Sequence, residues 1–293
     1  MLTFEGLTQN VAVAQELIPK QYENQFEVDK KRYLEYTNPS AEAAGKAFNF
    51  WKAAEKGQWK NYNKDSLHAV YDSLNQLNWQ RKVAFIKQNT ASYASLYFFN
   101  QKFIVSSKFR PDSLNKLYLS LSKDVRITPL GKSVAASIKR KHELQLNHKM
   151  PDFSFRTSDE KMVSISEFRG KNNILLCFWA SWCGPCIHNI PFLKQIEEAY
   201  RSKNLQVISI SIDEDSIKWL AALEKYNMPW IQTCDLPVYT NKTSLSTLYE
   251  IHFIPQYFLI NKEGELVYQN VLNDDNDDHI VLKEALKKAF NEF

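Results

Sequence analysis

Residues 172–191 read NNILLCFWASWCGPCIHNIP, and this stretch decides the fold. Its first part, NNILLCFWA, is a continuous apolar run, as expected of a strand buried on both faces. Cys183 and Cys186 follow at once with Pro185 between them, and IPFLKQIEEAYRSKN after them has helical character. A Cys-x-x-Cys pair between a buried strand and a helix has a direct physical use. The first turn of a helix exposes free N–H groups and the positive end of the macrodipole. A Cys183 thiolate is stabilised there, which lowers its pKa below that of free cysteine. Cys186, one turn on, is in reach to resolve a mixed disulfide. Pro185 fits the first turn, where its missing N–H costs little. The other common use of the motif, half of a zinc site, needs a second ligand pair. Cys177, His188, Cys234 and His252 are the available ligands, and none forms a second closely spaced pair. Redox chemistry is the stronger reading.

Working outward, short β-rich runs alternate with helical ones from Met150-Pro151 to the end of the chain. DFSF and MVSISEF flank RTSDEK as a hairpin. LQVISISI is a second buried strand, DEDSIKWLAALEKYNM a helix with an acidic first turn, and WIQTC a further strand. QYFLINKEGELVYQN is a hairpin turning at Asn261 to Gly264, and HIVLKEALKKAFNEF is the last helix. Alternation of this kind implies an α/β domain with a central sheet. Residues 1–147 read instead as an all-α domain. A helical pattern from Val11 to Tyr36 is expected to break at Pro39, with Ser40 capping the next helix. A third helix follows with Asp65 or Ser66 as its cap, then SYASLYFFNQKF, PDSLNKLYLSLS, and a helix with Pro129 in its first turn. The aromatic residues Phe48, Phe50, Trp51, Trp59 and Tyr62 suit helix packing better than a binding groove. His68, His142 and His148 stand apart in sequence and read as surface or satisfied histidines.

The chain has 293 residues, 44% hydrophobic and 24% charged, which is ordinary globular composition in a length that suits two domains. A net charge of +4 without a long basic run argues against nucleic acid as a partner. Four cysteines, three of them between Cys177 and Cys186, are too few for a disulfide-stapled scaffold. No apolar stretch reaches the roughly 18 residues of a membrane span. The first twenty residues lack a basic start and an apolar core, so they do not read as a secretory signal. This leaves a cytoplasmic chain or one whose signal has been removed. NDDNDD, Asn273 to Asp278, lacks the glycine and distal glutamate of a calcium loop and reads as a solvated loop.

WCGPC is far more specific than a bare Cys-x-x-Cys, and from Lys149 to Phe293 the chain resembles the thioredoxin superfamily. The second anchor is IHFIPQYFLI. The resemblance implies a cis Ile254-Pro255 bond facing the cysteines, with the Ile254 backbone pairing with an extended substrate segment. PDFSF, VSISEFRGKNNILLCFWASWCGPC and IPFL are similar to the envelope branch, the TlpA- and ResA-like thiol–disulfide oxidoreductases. The helical N-terminal region and DEDSIKWLAALEKYNMPWIQTCD resemble Bacteroidetes-type members of that branch. The branch implies a periplasmic or cell-envelope location.

Two positions depart from the pattern. Thioredoxins place a buried aspartate where this chain has Cys177, and ResA-like proteins often place a glutamate where it has Asn189. Neither replacement is a good proton acceptor as a neutral group. Deprotonation of Cys186 then falls to water, the substrate or His188, although an exposed helix histidine is the plainer reading of His188. Cys177 and Cys234 read as buried, inert thiols rather than further redox groups.

The expectation is a thiol–disulfide oxidoreductase, a helical domain (1–147) followed by a thioredoxin-like domain (148–293). Cys183 is the nucleophile and Cys186 the resolving thiol. Trp182 shields the motif, Gly184 and Pro185 shape it, and Ile254 with Pro255 presents the substrate. Cys177, His188 and Asn189 are candidate modulators. No metal or organic cofactor is implied. Electrons come from another thiol protein or a membrane thiol transporter. The Gly-Pro dipeptide favours a reductase, with potentials near about −270 mV in reducing thioredoxins. The alternatives are an oxidase or isomerase of protein disulfides, or a partner-binding protein whose helical half is the working part. A peroxidase or metal chaperone ranks below these.

Overall fold

The computed structural model describes residues 18–58, 62–106, 109–240, 244–270 and 278–292. The chain divides into two units with the boundary after Ile138. The first is helical: α1 (Glu23–Glu55), α2 (Lys64–Gln88), α3 (Tyr93–Phe99), α4 (Pro111–Ser120), α5 (Lys123–Arg126) and α6 (Pro129–Glu143), in which the boundary falls. A π-helical turn, Asn100–Ile104, follows α3.

Pro39 does not end a helix as its chemistry predicts. It lies inside the 33-residue α1. An interior proline removes one backbone hydrogen bond and costs about 3 kcal/mol. Packing on both sides of the proline offsets this. Before it, the Tyr33 ring stacks on Phe98 at 3.6 Å and meets Phe85 edge-on at 5.2 Å. After it, Trp51 stacks on Tyr71 of α2 at 5.9 Å. Side chains also supply donors around the break. The Thr37 hydroxyl donates to the Tyr33 carbonyl, Ser40 Oγ to the Thr37 carbonyl, and Arg81 Nη1 to the Tyr36 carbonyl. Ser40 is therefore a buried interior residue, not a cap. The cap of α2 is Asn63 rather than Asp65 or Ser66, since its side-chain oxygen accepts the N–H groups of both.

The core of this unit contains Phe26, Tyr33, Phe85, Phe99, Phe103, Leu114 and Val134. Trp51 is buried against Tyr71 and His68, so it serves helix packing, whereas Phe50 and Tyr62 are exposed. Trp59 and residues 1–17 lie outside the described residues, as do positions 273–277 of the acidic loop.

The second unit holds a hairpin, β1 (Ser154–Arg156) with β2 (Met162–Ser164), and a five-stranded sheet. The sheet contains β3 (Asn173–Trp179), β4 (Leu205–Ser211), β5 (Ile231–Cys234), β6 (Gln256–Ile260) and β7 (Leu266–Gln269), in the order β5-β4-β3-β6-β7. β3, β4 and β5 run parallel, and β6 and β7 are antiparallel additions. The helices are α7 (Gly184–Tyr200), α8 (Ser216–Tyr226), α9 (Pro237–Thr240), α10 (Leu245–Leu248) and α11 (Asp278–Ala289).

Alternation along β3 assigns its two faces. Ile174, Leu176 and Phe178 join Phe153, Phe155, Tyr249 and Phe258 in one core. Leu175 and Cys177 join Ile190, Leu193 and Ile196 of α7 and Leu282 and Leu286 of α11 in the other. All seven residues of β3 are buried, as its unbroken apolar run implies. Full burial of a leucine or isoleucine side chain is worth about 1.5–3 kcal/mol, so this strand anchors the domain. The β6–β7 turn closes as expected, with the Gly264 N–H on the Asn261 carbonyl and Gly264 at φ +86°, a left-handed geometry that glycine adopts without strain. His142 and His148, distant from other histidines in sequence, lie side by side with ring centroids 5.7 Å apart.

Candidate active site

β3 ends at Trp179, and the chain turns through Ala180, Ser181 and Trp182 into α7. Cys183 is the N-cap of α7, and its Sγ accepts the Cys186 N–H at 3.2 Å. Cys183 and Cys186 form a disulfide with their Cα atoms 5.2 Å apart. Both are buried, at 5% and 3% exposure, while Trp182 beside them is 57% exposed. Gly184 and Pro185 open the helix and face solvent. After reduction, a thiolate at Cys183 sits among the free N–H groups of a 17-residue helix, the placement that favours the anion.

Several elements pack around the pair. Trp179 and Ala180 of the β3 end, Trp219 and Ala222 of α8 and Cys234 of β5 pack with the two cysteines, and Ile254 borders the same cluster. The Ile254-Pro255 peptide bond is cis. Pro255 and Cys186 line one small cavity together with Cys177, Ser209 and Tyr257. Its volume is about 10 Å³, room for no more than one water.

The modulators named from sequence fall in different places. Cys177 is on the α7 face of β3, and burial pushes its thiol far above the ordinary range, with a hydrogen bond to Ser209 opposing weakly. Such a thiol is neutral at any physiological pH and cannot accept the Cys186 proton. His188 is exposed on α7. Asn189 is half-buried and bridges two elements. Its Nδ2 donates to the Tyr257 hydroxyl at 3.0 Å, and its Oδ1 lies 3.1 Å from Nε2 of His279 on α11. The His279 ring stacks on Phe192 at 3.9 Å. Burial pushes the Cys234 thiol up to about 12, and its Sγ donates to the Asp213 carbonyl at 3.4 Å.

Two polar residues near the motif escaped the sequence reading. Asp213, in SISIDED, reads as part of an acidic helix start, yet it is buried and grips Ser181 in the turn before Cys183. His279 reads as a residue of the last helix, and only the fold brings it to Asn189. No local pattern signals either contact.

Known proteins share this part of the chain. The Redoxin family model matches residues 145–286. The thiol-disulfide oxidoreductase ResA of a Bacillus cereus strain is 27% identical over 128 residues, covering 43% of this chain and 70% of that protein. ResA of Bacillus thuringiensis subsp. konkukian is 25% identical over 149 residues, covering 51% and 81%. Among solved structures, a thiol-disulfide oxidoreductase from Bacteroides fragilis NCTC 9343 is 29% identical, covers 48% of this chain and 98% of its own, and gives a TM-score of 0.40. The range matched by the family model, in the C-terminal half, contains the cysteine pair. That half is thioredoxin-like: it matches the Redoxin family model and is similar in sequence to the ResA thiol–disulfide oxidoreductases.

Proposed function

We propose that the chain is a protein-disulfide reductase working through Cys183 and Cys186. The observation that carries this reading is the Cys183 sulfur capping α7 with the Cys186 N–H directed at it. In the reduced enzyme the Cys183 thiolate attacks one sulfur of a substrate disulfide. A Cys183–substrate S–S bond forms, and the other substrate sulfur leaves as a thiolate and takes up a proton. The Cys186 thiolate then attacks the Cys183 sulfur. The Cys183–Cys186 disulfide forms, and the second substrate sulfur departs. Two electrons and two protons have passed to the substrate, and a donor dithiol restores the pair.

Trp182 and the segment at Ile254-Pro255 border the sulfur pair and supply a surface for an extended client segment, with the Ile254 backbone as its hydrogen-bonding partner. Protein thiols are the substrate class. The donor is a thiol protein or a membrane thiol transporter. We assign the chain to the periplasm or cell envelope on its resemblance to the envelope branch. Among the described residues no helix is long and apolar enough to cross a membrane.

A redox titration tests the reading. The protein is equilibrated in graded thiol–disulfide buffers and its alkylatable thiols counted, with Cys183→Ser as the control. A two-electron transition below about −250 mV is expected for a reductant. One between about −120 and −200 mV makes the protein an oxidase or isomerase. No transition assignable to the pair removes the enzymatic reading.

A further inference from the structure

Asp213 follows β4 and is 3% exposed. Its Oδ1 accepts the Ser181 hydroxyl at 2.6 Å, and its Oδ2 accepts the Ser181 N–H at 2.8 Å and the Ser211 hydroxyl at 2.5 Å. These donors are all neutral. A carboxylate taken out of water without a cation is expensive, and three short hydrogen bonds are what keep it in place. The same residue ties down its own strand end, with its N–H on Ser211 Oγ at 2.9 Å and its carbonyl receiving the Cys234 S–H. Asp213 thus joins three segments: the ends of β4 and β5 and the turn that leads into the cysteine pair.

That turn has little else to define it. The Cys183 N–H donates to the Ala180 carbonyl at 3.1 Å, spanning Ser181 and Trp182. Trp182 is mostly in solvent. Ser181 is therefore the polar handle of the turn, and both of its donors end on one buried carboxylate.

We infer that Asp213 is the positioning residue of the redox turn, holding Ser181 by two hydrogen bonds so that Cys183 caps α7 with its sulfur on the Cys186 amide. The inference rests on Cys183 being the nucleophile of the proposed reaction. It assigns Asp213 a role distinct from that of the aspartate usual in thioredoxins. That aspartate would stand at Cys177 and exchange protons with the resolving thiol. Asp213 works instead through hydrogen bonds to the backbone and side chain of the preceding turn.

The test is the pH dependence of iodoacetamide alkylation at Cys183 in the reduced full-length chain. Ser181→Ala and Asp213→Ala are expected to move the midpoint upward and slow alkylation at pH 7 by about tenfold, the effect of one pKa unit. The double variant is expected to lose no more than the worse single variant, because the two residues act as one unit. Asp213→Asn keeps an oxygen for the Ser181 N–H and is expected to recover at least half the loss. A midpoint that moves downward in both Asp213 variants is the sign of simply removing a nearby negative charge, and it overturns the inference. Additive losses, or variants indistinguishable from wild type, overturn it too. Should Asp213→Ala fail to fold, Ser181→Ala decides, since it removes one hydroxyl from a half-buried side chain. Alkylation needs no turnover. A wild-type chain with a depressed Cys183 midpoint that reduces no disulfide removes the reductase reading and leaves this inference standing.

Discussion

The two cysteines of the pair are both buried but differ in what lies around them. Cys183 holds the cap of α7, while Cys186 faces a cavity bounded by Cys177, Tyr257 and Pro255. This asymmetry predicts a division of labour. Cys186→Ser is expected to accumulate a mixed disulfide with a client or a small disulfide probe, visible by mass spectrometry of the intact chain. Cys183→Ser is expected to form none and to lose exchange at least a thousandfold, as loss of a nucleophile generally costs. Cys177 contrasts with both. Burial holds its thiol neutral, so Cys177→Ala should leave the rate of disulfide exchange within twofold and cost about 1 kcal/mol in urea unfolding from lost packing. A tenfold change in exchange would show that the thiol takes part in the chemistry.

Among the elements, α1 and α6 show how packing and sterics override local signals. Pro39 is tolerated because aromatic contacts hold α1 to its neighbours on either side of it. Gly131 in α6 shows the opposite case, a residue whose small size the fold requires. A Cβ there would collide with the backbone carbonyl of Arg126, and backbone cannot swing aside as a side chain can. The Gly131 carbonyl also accepts the Tyr118 hydroxyl at 3.1 Å. Gly131→Ala gains helix propensity of about 1 kcal/mol. Overpacking of about 1–3 kcal/mol opposes it, and the rigid partner puts the cost at the upper end. A net loss of about 1–2 kcal/mol is expected in urea unfolding, and a stabilised variant would refute the collision. The helix was legible from its apolar spacing and Pro129. The need for glycine at one position was not, because the colliding carbonyl belongs to the end of the preceding helix, α5.

Across the C-terminal unit, Glu250 connects distant parts of the chain. It is buried and pairs with Arg140 at 2.5 Å and with His252 at 3.1 Å, two residues before Ile254. Burial alone would push its carboxyl up, but the hydrogen bond and charge of His252, with Arg140, outweigh it and hold the carboxyl below the ordinary glutamate range. A carboxyl depressed in the native state stabilises the fold above its unfolded value, about 4.3, and that contribution is lost as pH falls through the native value. Wild-type stability should therefore decline below about pH 4, and Glu250→Gln should flatten that part of the decline. At pH 7 the variant is expected to lose stability near the lower end of the roughly 3–5 kcal/mol typical when a buried pair loses one partner. Arg140 is partly exposed and can recover hydration, which is why the lower end applies. An unchanged acid limb in Glu250→Gln would show that other carboxyls set it.

The chain by itself determined the order of the strands in the C-terminal half and the chemistry of the motif. An apolar run followed by WCGPC and a helix can form one local arrangement, because strand burial, capping and the proline in the first turn depend on neighbours in sequence. It also named the two positions where expected carboxylates are absent. Tertiary structure alone decided what surrounds those positions. Asn189 meets Tyr257 and His279, residues 68 and 90 positions away, and Ser181 meets Asp213, 32 away. Such contacts depend on how the strands are ordered in the sheet and how the helices lie across it. No spacing rule in the chain encodes a hydrogen bond between side chains that the fold, rather than the sequence, makes neighbours.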